Sequence, residues 1–281
     1  MRPFIILLIT LCSLTTLAQP THSPITPAVP YEVRAVWLTT LMGLDWPKQP
    51  ARNAEQAEAQ QKALCQMLDK MKEAGINTVL FQARIRSTTA YPSAIEPWDG
   101  VFTGTPGKRP SYDPLKLAVD ECHKRGMECH AWVVAFPICK VAIGKQLGKA
   151  ALPNVHPELC QKCGDQWMMD PGVPGTAPYI ASICQEIVKN YDVDGIHLDY
   201  IRYPEELPKL KTLPREKGRE NITRIAMRAT PCRACGIRQW QTSGHRSRAT
   251  CRESPTDNRP KAHSARDKSW CRGCGSAAVR C

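Results

Sequence analysis

The chain has 281 residues, room for one large domain or two small ones. Its net charge of +12 would ordinarily suggest an acidic partner, but residues 231–281 hold nine Arg and two Lys against two Asp and one Glu, and so carry eight of those charges. The body before them is only mildly basic, which leaves no charge-based case for nucleic acid, and no segment beyond the first 18 residues is apolar enough to span a membrane.

In chain order, residues 1–18 (MRPFIILLITLCSLTTLA) join Arg2, a short apolar run and a small Ala18 ahead of polar residues. That is the pattern of a secretory signal peptide, so the mature protein is expected to be exported, periplasmic or secreted. Residues 19–30 are Pro-rich and read as an extended linker. VRAVWLTT (33–40) is the first strand. QQKALCQMLDKMKEAG stripes Leu64, Met67, Leu68 and Met71 on one helical face, stops at Gly75, and gives way to the strand INTVLFQAR. DPLKLAVDECHKRG opens on an Asp-Pro cap signal, stripes Leu115, Ala118, Val119 and Cys122, stops at Gly126, and precedes MECHAWVVAF. PYIASICQEIVKNYDVDG stripes Ile180, Ile183, Cys184, Ile187 and Tyr191 and runs to Gly195, with IHLDYI as the fourth strand. Strand and helix alternate throughout, which predicts a parallel sheet with crossover helices.

An open doubly wound sheet and a closed (β/α) barrel both fit that order. The polar residues separate them. Trp37 and Thr39, Gln82 and Arg84, His130 and Trp132, and His197 and Asp199 are each two apart near the end of a strand, so each pair points to one face. Four successive strands sending polar or aromatic groups to one end is the arrangement of a TIM-type barrel, whose site lies at the C-terminal ends of its strands.

The motifs VRAVWLTTLMGLDWP, FQARIRSTTAYPSAIEPW, DPLKLAVDECHKRGMECHAWVV, HPELC followed by WMMDPG, and DGIHLDYIRYP occur in this order. Together they resemble the glycosyl-hydrolase-like 10 family over residues 31–230. The resemblance implies an exported bacterial TIM-barrel domain that acts on glycans, with relatives that cleave peptidoglycan glycan strands lacking peptide stems. It ends where the tail begins. Residues 231–281 contain no Leu, Phe, Tyr or Met and can bury little apolar surface. The expected fold class is therefore α/β, a (β/α) TIM-type barrel with its first four β/α units only (31–230), followed by a disordered Cys/Arg-rich tail (231–281) of the composition a frameshift produces. A zinc module on Cys232-x-x-Cys235 and Cys271-x-x-Cys274 is the rival reading of that tail. Cys160-x-x-Cys163 is expected to be a coincidence or a local disulfide, and Cys65, Cys122 and Cys184 to be core residues.

Glycoside hydrolysis needs a proton donor and a second carboxylate. Asp199 is the best-placed carboxylate, expected to act as nucleophile, acid or electrostatic support, and Arg84 or His197 is its expected structural holder. Glu96, Asp99, Asp45 and Glu205 are loop candidates for the second. Gln82 and Arg84 are expected to hydrogen-bond sugar hydroxyls or a carboxylate, His130 and His197 to orient Asp199 or substrate, and Trp37, Tyr91, Trp132 and Tyr203 to stack on sugar rings. Tyr200 has the opposite parity to Asp199 and is expected to pack against helices. No cofactor, metal or nucleic-acid partner is expected. The function expected is glycoside-hydrolase-like, on cell-wall or other glycan, and inactive in this truncated form. A noncatalytic glycan-binding protein is the alternative. A metal-dependent barrel hydrolase, with a cation among His130, His197 and Asp199, is a second.

Overall fold

The computed structural model describes residues 32–229 and the strand 239–242. The signal peptide, the linker and both CxxC pairs of the tail lie outside the described residues. In chain order the elements are β1 (Ala35–Leu38), α1 (Ala54–Glu73), β2 (Thr78–Arg84), α2 (Pro114–Lys124), β3 (Glu128–Val134), β4 (Pro137–Lys140), α3 (Val141–Leu147), α4 (Leu152–Val155), β5 (Cys160–Cys163), β6 (Gln166–Met169), α5 (Thr176–Asn190), β7 (Gly195–Asp199), α6 (Arg215–Ala229) and β8 (Gln239–Thr242). The main sheet is parallel in the order β1-β2-β3-β7-β8.

The helices form where apolar stripes and caps coincide. Asn53 caps α1 by accepting from the Gln56 amide, and Asp113 caps α2 by accepting from Lys116. Gly75 and Gly126 follow the two helices with φ of +78° and +63°, the left-handed turn that ends a helix at little cost only in glycine. The stripes are buried as expected: Leu64, Leu68, Leu115, Cys122, Ile180, Ile183, Cys184 and Ile187 are sealed against the sheet. The stripe residues Met67, Met71 and Tyr191 are only partly buried, and Cys65 is half-buried at the edge of the α1–α2 contact rather than in the core. α5 also ends at Asn190, earlier than the Gly195 stop, because Gly195 is already the first residue of β7.

Two features depart from the four-unit expectation. After β7, α6 and the short strand β8 add a further helix and parallel strand, so a strand lies within the segment expected to be disordered. Between β3 and α5 the chain makes a small antiparallel sheet, in the order β4-β6-β5. Cys160 and Cys163 are the first and last residues of β5 and are free thiols; their opposite strand parity turns them to opposite faces, so no local disulfide joins them.

The sheet is strongly curved. β1 and β7 are separated by two strands, which in a flat sheet would hold them about 14 Å apart. Instead the Trp37 indole nitrogen on β1 lies 3.2 Å from Nε2 of His197 on β7. Side chains standing perpendicular to a flat sheet would not meet over that distance. The contact requires a concave face, the inner wall of a barrel. Among the described residues no helix is long and apolar enough to cross a membrane.

Candidate active site

The concave face is built in layers by the strand register. His130 is level with Gly195, Trp132 with His197, and Val134 with Asp199. Glycine at the lowest of these levels leaves His130 room on the floor of the hollow, where its Nε2 lies 3.2 Å from Glu128, two residues back on the same face. In the middle layer His197, itself buried, meets Trp37, whose ring stands edge-on at 5.7 Å between centroids. Indole nitrogen only donates, so Nε2 of His197 is the lone-pair nitrogen and the imidazole is neutral with its proton on Nδ1. At the rim, Trp132 donates its indole N–H to Oδ2 of Asp199 at 3.1 Å, and the Tyr200 amide donates to Oδ1 at 2.7 Å. Trp37 remains 51 % exposed.

The structure thus brings together Trp37 with His197 and Trp132 with Asp199. Gln82 and Arg84 do not join them. The β2–β3 ladder shifts register between them: Gln82 is still level with Trp132, but Arg84, beyond the shift, is level with Val133 rather than Val134. Gln82 turns to the loop after β1: its Oε1 accepts from Thr39 Oγ1 at 2.6 Å and from the amides of Thr40 and Leu41 at 2.9 and 3.0 Å, which leaves that oxygen no capacity for a sugar hydroxyl. Arg84 is fully buried and forms a two-pronged pair with Glu96, 2.7 Å on each prong. Burial alone would lower its pKa, but the Glu96 carboxylate outweighs that and the net shift is upward. Its partner is therefore Glu96, not Asp199. Tyr91 is also sealed in the core, donating to Glu186 of α5 at 3.1 Å and meeting Tyr191 edge-on, so no ring face is left for a sugar. Tyr203 donates to Asp170 at 3.1 Å, and burial with that carboxylate pushes its hydroxyl up to about 12.

The expected partner carboxylates divide likewise. Glu96 is taken by Arg84 and by the Tyr179 hydroxyl at 2.9 Å. Asp99 accepts from Thr88 and from the Val101 amide; burial pushes its carboxyl up against both bonds. Asp45 accepts from the Thr39 amide. Glu205 and Glu206 stay exposed and line a rim hollow of about 50 Å³ with Phe136, Tyr200 and Arg202. His130, His197 and Asp199 have separate partners in Glu128, Trp37 and Trp132 and do not form a three-ligand set.

Tyr200 corrects the parity argument. It is 47 % exposed, with φ at +51° and the Arg202 guanidinium 5.4 Å from its ring centre. A left-handed aromatic residue is uncommon, and only Gly, Asn or Asp would have signalled it in the sequence. Asp170, in the WMMDPG motif, is buried and accepts from the Gly172 amide and Tyr203. Its turn was legible in Asp-Pro-Gly, but its partner, 33 residues on, was not.

The glycosyl hydrolase-like 10 family model matches residues 32–224. The chain belongs to that family. Members similar to it include glycosyl hydrolase DigH of Escherichia coli strain K12, 33% identical over 231 residues, covering 73% of this chain and 52% of that protein. Glycosyl hydrolase YngK of Bacillus subtilis is 33% identical over 177 residues, covering 63% of this chain and 34% of that protein. This family member therefore spans about half, or less, of the length of the curated relatives it matches. Solved structures that resemble it include a hypothetical protein from Ruminiclostridium thermocellum, with TM-score 0.49 and 16% identity, covering 74% of this chain and 96% of that one. A second is an α-L-fucosidase from Paenibacillus thiaminolyticus, with TM-score 0.47 and 15% identity, covering 76% of this chain and 32% of that one.

Proposed function

We propose that this chain is the glycan-handling N-terminal part of an exported glycoside hydrolase, acting on peptidoglycan glycan strands without peptide stems, with Asp199 as the reacting carboxylate. One observation carries the reading. Asp199 stands at the end of β7, held by the Trp132 indole and Tyr200 amide N–H donors, and the half-exposed Trp37 ring meets His197 two residues before it on the same strand. A carboxylate that accepts two N–H bonds suits a nucleophile, or an anion opposite an oxocarbenium-like transition state, better than a proton donor. Aromatic faces suit the C–H surface of sugar rings. Glu205, exposed beside Tyr200, is the described carboxylate that best remains as proton donor.

The second reading is glycan binding without turnover. It is supported by the engagement of Glu96, Asp99 and Asp45 in local hydrogen bonds, which leaves no buried second carboxylate aimed at Asp199 among the residues named for it. The full chain and its Asp199→Asn variant, each measured for binding to stem-free glycan strands and for release of shorter products, separate the two. Catalysis by Asp199 predicts turnover reduced at least about a hundredfold with binding retained. Equal binding and no turnover in either protein would leave the binding reading standing.

A further inference from the structure

We infer that the buried Arg84–Glu96 pair is a positioning device for Asp199: it holds the end of β3, from which the Asp199 carboxylate is in turn held. The inference rests on the reading of Asp199 as the reacting carboxylate.

Arg84 spends its fork in two directions. Nε and Nη2 donate to the two carboxylate oxygens of Glu96. Nη1 donates to the carbonyl of Val134 and, at 2.9 Å, to that of Ala135. Val134 is the last residue of β3 and the register partner of Asp199. Ala135 donates its amide to the Asp199 carbonyl at 2.9 Å. Trp132, two residues before Val134, donates to the Asp199 carboxylate. Backbone and side chain of Asp199 are thus both gripped by the segment 132–135, which Arg84 grips from the other side. Glu96 is braced by Tyr179 of α5. The guanidinium therefore joins β2, its following loop and α5 to the rim.

Cohesion is the weaker account of this pair. An ion pair taken out of water gains little net stability over apolar residues of the same volume. A planar guanidinium fork fixes direction as a lysine or an apolar side chain does not. The register shift just before Arg84 is what turns the fork toward the end of β3.

The test uses the full chain with isotope-labelled tryptophan and follows the Trp132 indole N–H resonance, identified by its loss in Trp132→Phe. Asp199→Asn, which replaces the carboxylate acceptor by a neutral amide oxygen, should move the parent signal. Replacing the pair by apolar residues, Arg84→Met with Glu96→Leu, removes the ion pair at little cost but takes the guanidinium donor from the Val134 and Ala135 carbonyls and the acceptor from the Tyr179 hydroxyl, so the melting temperature should fall by about 5–10 °C while the chain still folds. In that variant the indole signal should move to the position of a solvent-bonded indole. Arg84→Lys, which keeps the charge without the fork, should fall between, and it carries the test alone if the double variant does not fold. Where the parent cleaves glycan, kcat should fall at least about tenfold with KM changed less than about threefold. A folded variant that keeps the parent indole position overturns the inference, as does one that moves KM and spares kcat. If the parent cleaves nothing, the catalytic reading fails by itself and the indole measurement still decides the positioning.

Discussion

Gln82 and Trp37 each carry a test at the level of one side chain. The Gln82 amide oxygen accepts the Thr40 and Leu41 amides, two backbone donors that water would otherwise satisfy. Removing a buried acceptor leaves its donors unpaired at about 1–3 kcal/mol each, so Gln82→Ala should lower unfolding free energy by about 2–3 kcal/mol in denaturant titrations. A loss under about half a kcal/mol would mean the loop finds other acceptors. Trp37 is half exposed, and its indole N–H already belongs to His197. Trp37→Ala should weaken binding of a glycan oligosaccharide about tenfold by calorimetry, and unchanged affinity would remove Trp37 from the binding surface. What the residue types announced was chemistry, not partners. Arg84 was legible as a polar group on a buried strand, but Glu96, which claims it, lies in an irregular loop with no period to place it.

Among the elements, the α1–α2 contact carries a core prediction and a pH prediction. Leu68 is sealed beneath α1, and Leu68→Ala should cost about 2–5 kcal/mol, read as a lower denaturation midpoint at unchanged slope. Glu121 on α2 accepts from Lys124 and Arg125, and these hydrogen bonds hold its carboxyl down to about 2. Arg125 also reaches Asp69 of α1 at 2.7 Å. A carboxylate held below its unfolded value stabilises the fold above that value, and the stabilisation is lost as acid brings the pH through the folded one. Stability should therefore fall between about pH 4.5 and pH 2, and Glu121→Gln should flatten that limb of the melting-temperature profile. An identical acid limb in the variant would assign the loss to other carboxylates. The helices were legible because stripe, cap and terminating glycine agreed at Asn53 to Gly75 and at Asp113 to Gly126. β2 was legible as a strand, but its irregularity was not, because a register shift depends on the neighbouring strand and leaves no local mark.

For the whole molecule the open question is the edge of the curved sheet. Among the described residues β1 pairs with β2 alone, and Val33, Trp37, Met42 and Leu44 around it are exposed. A hollow of about 190 Å³ opens beside it between Val36, Leu38, Met67 and Met71. An unpaired apolar edge is a template for further strands. Val33→Lys, placing a charge at that edge, should lower concentration-dependent light scattering of the purified chain, and equal scattering would locate self-association elsewhere. Sequence alone determined the alternation of strands and helices, the buried stripes, the family and the end of the sheet at which Asp199 lies. All of these follow from local periodicity and from residue types whose burial demands a reason. Only the tertiary structure decided that Trp37 crosses two strands to His197, that Arg84 belongs to Glu96 and the end of β3, and that Tyr200 faces outward. Curvature, register and loop return are set by packing between distant segments, and no single segment carries that information.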